Sequence, residues 1–508
     1  MCPLKGAEFT VVVAVPHPGQ QAAAMSPTAE EGDGVRSSGR VFVHMAAKAK
    51  RLKLEDGPEP LRDFLRWCDT AGLLLSRKVR VSRVSTVSQY GMLAEEDIEA
   101  GEVLFSVPRS ALLHQGSSRV APLLAREEGA LRSRSGWVPL LLALLHEFTC
   151  PDSFWRPYFH LWPDLSATDQ PMFWSSEERE RLLRGTGLVE LVQTDLQHIQ
   201  QEYLQVALPF MSKHPELWDP DTHTLELYTR LVAFVMAYSF QEPQQREDED
   251  DDDDDDDDDE EDEARQLQSP PMMVPVADLL NHVADHNASL QFSPESLDMV
   301  SVRCISAGQE VFNTYGDKSN CELLLMYGFA EPFPGNKNDT AEVPVSTLYQ
   351  VAVEAARCDS ERHLLELKLE VLPEVLQEPV LVFTREGCAT EQELRAALKV
   401  LCMSEDQFKV GRESGWDHLD DDSDALDSME AFRGLMPEWK TLLRSAARRT
   451  LATYRGSSAA CSLEQDEDLL LVQDPQALAA LSRRQQVALH VRHGQKRILT
   501  RLMDLCQS

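Results

Sequence analysis

The chain has 508 residues and a formal net charge of −36, with 49 Lys and Arg against 85 Asp and Glu. That balance repels nucleic-acid phosphates, argues against direct nucleic-acid binding and leaves basic peptides as the electrostatically favoured partners. The ten cysteines form no Cys-x-x-Cys, which argues against a zinc site on paired thiolates, and no apolar run approaches the roughly 18 residues that cross a bilayer, so neither a metal nor a membrane partner is expected.

Residues 1–59 show no sustained periodicity and read as a disordered tail. Within it, Lys48, Lys50, Arg51 and Lys53 form a small basic cluster of the kind that directs nuclear import. A nuclear location is therefore expected, and a cytoplasmic pool is compatible with it. From Pro60, Leu61, Phe64, Leu65 and Cys68 fall at helical spacing and predict an amphipathic helix ending near Gly72. Alternating β-branched residues follow, then a predicted Tyr90-Gly91 turn and a strand opened by Ala100-Gly101-Glu102 and closed by Pro108.

Residues 116–246 carry a helical pattern. A nearly all-apolar helix is expected from Gly136-Trp137, then the aromatic segment Ser153–Pro163, then helical periodicity through Leu182–Phe210 and Leu225–Phe240. Aromatic density of this kind ordinarily means core packing. Glu247–Glu263 is an unbroken acidic run that supplies 17 of the negative charges. No packed core holds such a run, so a solvated loop is expected.

Residues 274–328 are the stretch around which the chain is organised. An apolar run ends in Asn281-His282, and a second, after the turn Ala307-Gly308-Gln309-Glu310, ends in Tyr315-Gly316. Polar groups at buried strand ends need partners, so they point to a pocket more than to a plain core. Asp278, His282 and His286 are spaced four apart, which would align them for a metal only on a helix, and the segment is short and runs into a strand-like stretch. Further on, Thr390-Glu391-Gln392-Glu393 and Ser482-Arg483-Arg484-Gln485 have the form of capping boxes ahead of two helices, with an acidic loop over Asp417–Asp427 between them.

The segments DLLNH (278–282), AGQEVFNTYG (307–316) and MYGF (326–329), in that order, resemble the signature of SET-domain protein methyltransferases of the branch like Rubisco large-subunit methyltransferase. The resemblance covers roughly residues 60–508. It implies an α+β chain: a SET core of small twisted β-sheets over 60–115 and 270–337, a helical insertion over 116–269 that includes the acidic loop, and an all-α substrate-binding domain over 338–508. Met45 opens MAAKAKRLK, which resembles the way relatives begin, so 1–44 reads as an upstream extension.

The resemblance further implies S-adenosylmethionine as cofactor and an accessible lysine in a basic protein context as substrate, with non-histone nuclear proteins among the targets. Tyr315 takes the place of the active-site tyrosine. Ser88, Gln89, Tyr90, Tyr238, Asn281, His282 and Tyr327 fall at cofactor-binding positions, and Trp137, Ser239, Gln241 and Leu325 at substrate-binding ones. Asp278 either meets the peptide or caps local backbone. Two departures stand out: Gln89 replaces a family glycine, and Tyr238 stands where several relatives place an arginine for the cofactor carboxylate. Transfer to histidine, or a binding module for basic tails that has lost catalysis, are the competing readings.

Overall fold

The computed structural model describes residues 59–163, 165, 169–243, 269–416, 428–454 and 466–507. The expected tail up to residue 58, the acidic run 247–263 and the expected loop 417–427 lie outside the described residues.

The first helix, Glu59–Ala71, buries Leu61, Phe64, Trp67 and Cys68. The strands, in chain order, are β1 Leu74–Leu75, β2 Val79–Ser82, β3 Gly91–Ala94, β4 Val103–Pro108, β5 Ser239–Phe240, β6 Met272–Met273, β7 Asn281–His282, β8 Ala288–Phe292, β9 Ser296–Ser301, β10 Glu310–Asn313, β11 Thr340–Pro344 and β12 Val380–Thr384. They assemble into two four-stranded sheets, ordered β1-β4-β9-β8 and β2-β3-β10-β7, and two small pairs, β5-β6 and β11-β12. Each large sheet thus joins strands from before and after the helical block. The Tyr90-Gly91 turn is a correction: Gly91 opens β3 and pairs with Ser82, so the connection is the longer segment 83–90.

In the insertion, helix Val138–Thr149 buries Val138, Leu140 to Leu145 and Glu147, as a helix apolar on every face must. Pro139 lies in its first turn, where a missing N–H costs nothing. The periodicity over 182–210 resolves into helix Leu188–Glu202, a π-turn at Tyr203–Ala207 and helix Leu208–Lys213. Helix Leu225–Tyr238 then leads directly into β5. The insertion and both large sheets share one core, which includes Phe64, Phe105, Leu141, Tyr158, Phe234 and Leu280.

The C-terminal part is helical with an added β11-β12 pair, so it is not purely α. Of the two expected capping boxes, Ser482 with Gln485 forms. Thr390 does not cap its helix, because its hydroxyl accepts the Val382 N–H at 2.9 Å instead and so is spent on β12. A second core fills this part, and a third joins the halves: Trp174, Leu182, Leu183, Leu188 and Leu324 meet Val487, Ala488 and Val491 of helix Arg483–Leu505. Each large side chain buried there is worth about 2 kcal/mol. Arg484 adds ion pairs across the same junction to Asp169 and Glu178, both at 2.7 Å.

Candidate active site

The parallel pairing of β7 with β10 sets Asn281 against Phe312 and His282 against Asn313. Tyr315 leaves the end of β10 two residues later, so this register, and no sequence proximity, brings Tyr315 to the Asn-His pair. Its backbone N–H donates to His282 Nδ1 at 3.0 Å and its hydroxyl donates to the Leu280 carbonyl at 2.8 Å. The rings stack, with centroids 5.1 Å apart for His282–Tyr315 and 4.6 Å for Tyr315–Tyr327. Because Nδ1 accepts, the proton of a neutral His282 sits on Nε2, which faces Glu331 Oε1 at 3.5 Å.

Tyr327 ends helix Asn320–Tyr327. A capping box of Ser319 with Glu322 starts that helix, and Gly328 at φ 75° closes it. A Cβ on Gly328 would lie 2.8 Å from the Asp169 carbonyl carbon, so the close turn past Tyr327 requires glycine. Leu325, half-buried on this helix, packs against both the main core and the junction core.

A second aromatic group adjoins the first. Trp162 lies 4.6 Å from Tyr238 and 5.6 Å from Tyr90, and Phe234 lies 5.0 Å from Tyr238. Burial, then the proximity of Tyr238, Tyr327, Asp278 and Glu310, pushes the Tyr315 phenol well above its ordinary value. Burial raises Tyr238 and Tyr327 as well. All three phenols therefore stay neutral at physiological pH. Tyr315, with its proton committed to Leu280, presents oxygen lone pairs as an acceptor without serving as a base.

Asp278 has a side-chain partner that neither expected role named. It sits in a single turn, Ala277–Leu279, entered through Val276 at φ 77°, a strained conformation for a β-branched residue. It is 5 % exposed, Oδ2 accepts the Tyr158 hydroxyl at 2.6 Å, and Oδ1 has no hydrogen-bond partner. Its main partner is a phenol from the insertion, within the aromatic segment that sequence reasoning assigned to packing alone. Because this turn passes into a strand, Asp278, His282 and His286 are not aligned on a helix, and among the described residues no acidic, His or Cys cluster forms a metal site.

Burial pushes the Asp278 carboxyl up to about 7, against the downward pull of the Tyr158 hydrogen bond. Between about pH 4 and pH 7 the folded chain keeps a proton that the unfolded chain has lost. The stability associated with this group is thus full below about pH 4, declines as pH rises to about 7 and is flat above. At 1.36 kcal/mol per unit the decline is on the order of 4 kcal/mol. Asp278→Asn is expected to gain on the wild type in thermal midpoint between pH 4.5 and pH 8; a gap equal at the two pH values would contradict this.

The remaining expected residues are dispersed around the cluster. Ser88 and Gln89 are exposed on the segment 83–90, whereas Tyr90 is buried, with the Arg83 guanidinium 5.2 Å from its ring centroid. Ser239 pairs with Met273 in β5-β6, and Gln241 Nε2 donates to the Ser269 carbonyl at 3.4 Å. Trp137 caps helix Val138–Thr149, held by the Ser135 hydroxyl, and packs on the main core. Sequence reasoning missed Glu310, Tyr158, Trp162 and Glu331 as parts of the site. Only Glu310 carried a signal, since it lies inside the AGQEVFNTYG segment.

The model for the SET domain matches residues 89–316, and that for the Rubisco LSMT substrate-binding domain matches residues 359–499. The N-lysine methyltransferase setd6 of Salmo salar is 50% identical over 468 residues, 91% of this chain and 99% of that protein. The N-lysine methyltransferase SETD6 of Homo sapiens is 42% identical over 494 residues, 91% of this chain and 100% of that protein. Among solved structures, the SET domain of LSMT bound to lysine and AdoHcy superposes with a TM-score of 0.58 at 20% identity, covering 88% of this chain and 91% of that one. Rubisco LSMT bound to AdoMet gives 0.58 at 20%, covering 89% and 92%. With two ordered domain matches and 42% and 50% identity over nearly the full length of these relatives, the chain belongs to the setd6 family of SET-domain N-lysine methyltransferases.

Proposed function

We propose that the chain transfers the methyl group of S-adenosylmethionine to the side-chain nitrogen of lysine in protein substrates. The relatives' name and the ligands in the LSMT structures, AdoMet, AdoHcy and lysine, support this reading. The observation that carries it is Tyr315: a neutral phenol, its proton donated to Leu280, stacked between His282 and Tyr327. S-adenosylmethionine supplies an electrophilic methyl on a positively charged sulfur.

A lysine amine has a pKa of about 10.4, so neutralising it near pH 7.4 costs about 4 kcal/mol. An apolar, aromatic-walled channel lowers that pKa by desolvation, so the site works without a dedicated general base. The Tyr315 oxygen accepts from the amine and aligns it, while the Tyr327 and Tyr238 rings narrow the approach. Asn281, His282 and the segment Ser88–Tyr90 are assigned to the cofactor. Trp137, Ser239, Gln241, Leu325 and Asp278 are assigned to the peptide. Tyr238, which departs from the family pattern, packs into the aromatic wall against Trp162 and Phe234. We assign the enzyme to the nucleus on the basic cluster Lys48–Lys53 and its substrates to lysines in a basic context on the net charge.

The test is incubation with isotopically labelled S-adenosylmethionine and a protein extract, followed by mass-spectrometric mapping. Label on lysine is expected; label on histidine, or cofactor binding with no label, would overturn the assignment. The acidic run bears on substrate capture: deleting 247–263 is expected to raise KM for a lysine-rich peptide severalfold at low salt and to flatten its salt dependence. An unchanged KM and salt slope would dismiss that role.

A further inference from the structure

Glu310 opens β10 and is 9 % exposed. Its two oxygens reach different parts of the site: Oε1 accepts from Asn281 Nδ2 at 2.6 Å, and Oε2 accepts the backbone N–H of Val87 at 3.0 Å. The same Asn281 Nδ2 donates to the Tyr90 carbonyl at 2.8 Å. The segment 83–90 has no strand or helix of its own, and Val84 and Val87 are 73 % and 69 % exposed, so those side chains do little to anchor it. The Ser82 hydroxyl holds it at Val84 and the buried Tyr90 ring at its end, and one Glu-Asn pair pins its backbone at Val87 and Tyr90.

Gly91 makes the pairing possible. A Cβ there would lie 2.4 Å from Glu310 Oε1 and 2.6 Å from Thr86 Cγ2, so any side chain at 91 displaces the carboxylate or the segment it holds. The partners of Glu310 are neutral amides, and among the described residues no cation forms an ion pair with it. Buried carboxylates are ordinarily paired with a cation, and burial raises the pKa of this one. Its field extends to Tyr315, whose ionisation it opposes.

We infer that Glu310 is a positioning residue, which shapes the segment 83–90 to receive the cofactor and whose negative charge favours the cationic sulfonium of S-adenosylmethionine over the neutral thioether product. This rests on reading that segment and Asn281 as the cofactor site. The same charge difference would aid turnover, since the product is held less tightly than the donor.

The experiment is calorimetric titration of S-adenosylmethionine and S-adenosylhomocysteine into the wild type, Glu310→Gln, Gly91→Ala and Asn281→Ala. Glu310→Gln keeps the length and one acceptor oxygen but removes the charge. It is expected to weaken the sulfonium ligand about tenfold or more and the thioether by a clearly smaller factor, reducing the preference between them. Gly91→Ala keeps the charge and is expected to weaken both ligands alike. Wild-type affinities in Gly91→Ala, or equal losses for the two ligands in Glu310→Gln, would overturn the inference. Failure of the underlying site reading looks different: the wild type would not bind S-adenosylmethionine, or Asn281→Ala would bind it as the wild type does.

Discussion

Tyr315→Phe is expected to lower kcat for lysine methylation about 10²–10³-fold while leaving the dissociation constant for S-adenosylmethionine within about threefold. The stacking on His282 and Tyr327 needs only the ring, and the backbone N–H to His282 Nδ1 is untouched by the change. What is lost is the hydroxyl: its bond to Leu280 and the oxygen proposed to orient the amine. Single-turnover rates, paired with calorimetric cofactor affinity, separate the two quantities. A kcat within threefold of the wild type would remove Tyr315 from the reaction.

Gly494→Ala is expected to destabilise the chain, although helix propensity alone argues the opposite. Gly494 lies inside helix Arg483–Leu505, where alanine is favoured by about 1 kcal/mol. Its Cβ, however, would stand 1.8 Å from Asp339 Oδ2. Asp339 cannot swing aside freely. It is 2 % exposed, Oδ1 accepts from the Asn320 and Thr340 amides, and Oδ2 accepts from Asn320 Nδ2, each at 3.2 Å.

Displacing it orphans buried donors at about 1–3 kcal/mol each, which outweighs the propensity gain. Asn320 begins the helix that carries Tyr327, so the disturbance also reaches the active site. The thermal midpoint is expected to fall by roughly 5 °C or more, with a reduced kcat. Gly434→Ala, where a Cβ meets nothing within 4 Å, is the matched control. A Gly494→Ala midpoint at or above the wild-type value would show that Asp339 relocates at no cost.

The helices were largely legible in the sequence because their signals are local. The Ser482–Gln485 box is present, and the apolar run from Val138 is a buried helix. The site was legible to a lesser degree. The three ordered segments pointed to Asn281, His282, Tyr315 and Tyr327; the β7-β10 register brings the first three together, and Tyr327 stacks on Tyr315 from the end of its helix.

What the sequence did not carry are contacts made across long separations. Tyr158 looked like packing because its phenol's partner, Asp278, lies 120 residues on. Glu310 looked like part of a turn because its donor, Val87, lies 223 residues back. Thr390 had the right spacing for a cap and was claimed by a strand instead. The Tyr90-Gly91 dipeptide had turn chemistry, yet Gly91 is a strand residue whose missing Cβ makes room for a carboxylate.

The most direct measurement is a crystal structure of the complex with S-adenosylhomocysteine and a lysine-containing peptide. The account predicts the thioether sulfur against Asn281 and His282, and the lysine nitrogen within about 4 Å of the Tyr315 hydroxyl oxygen. A cofactor bound in another cleft, or a lysine that enters without approaching Tyr315, would contradict it.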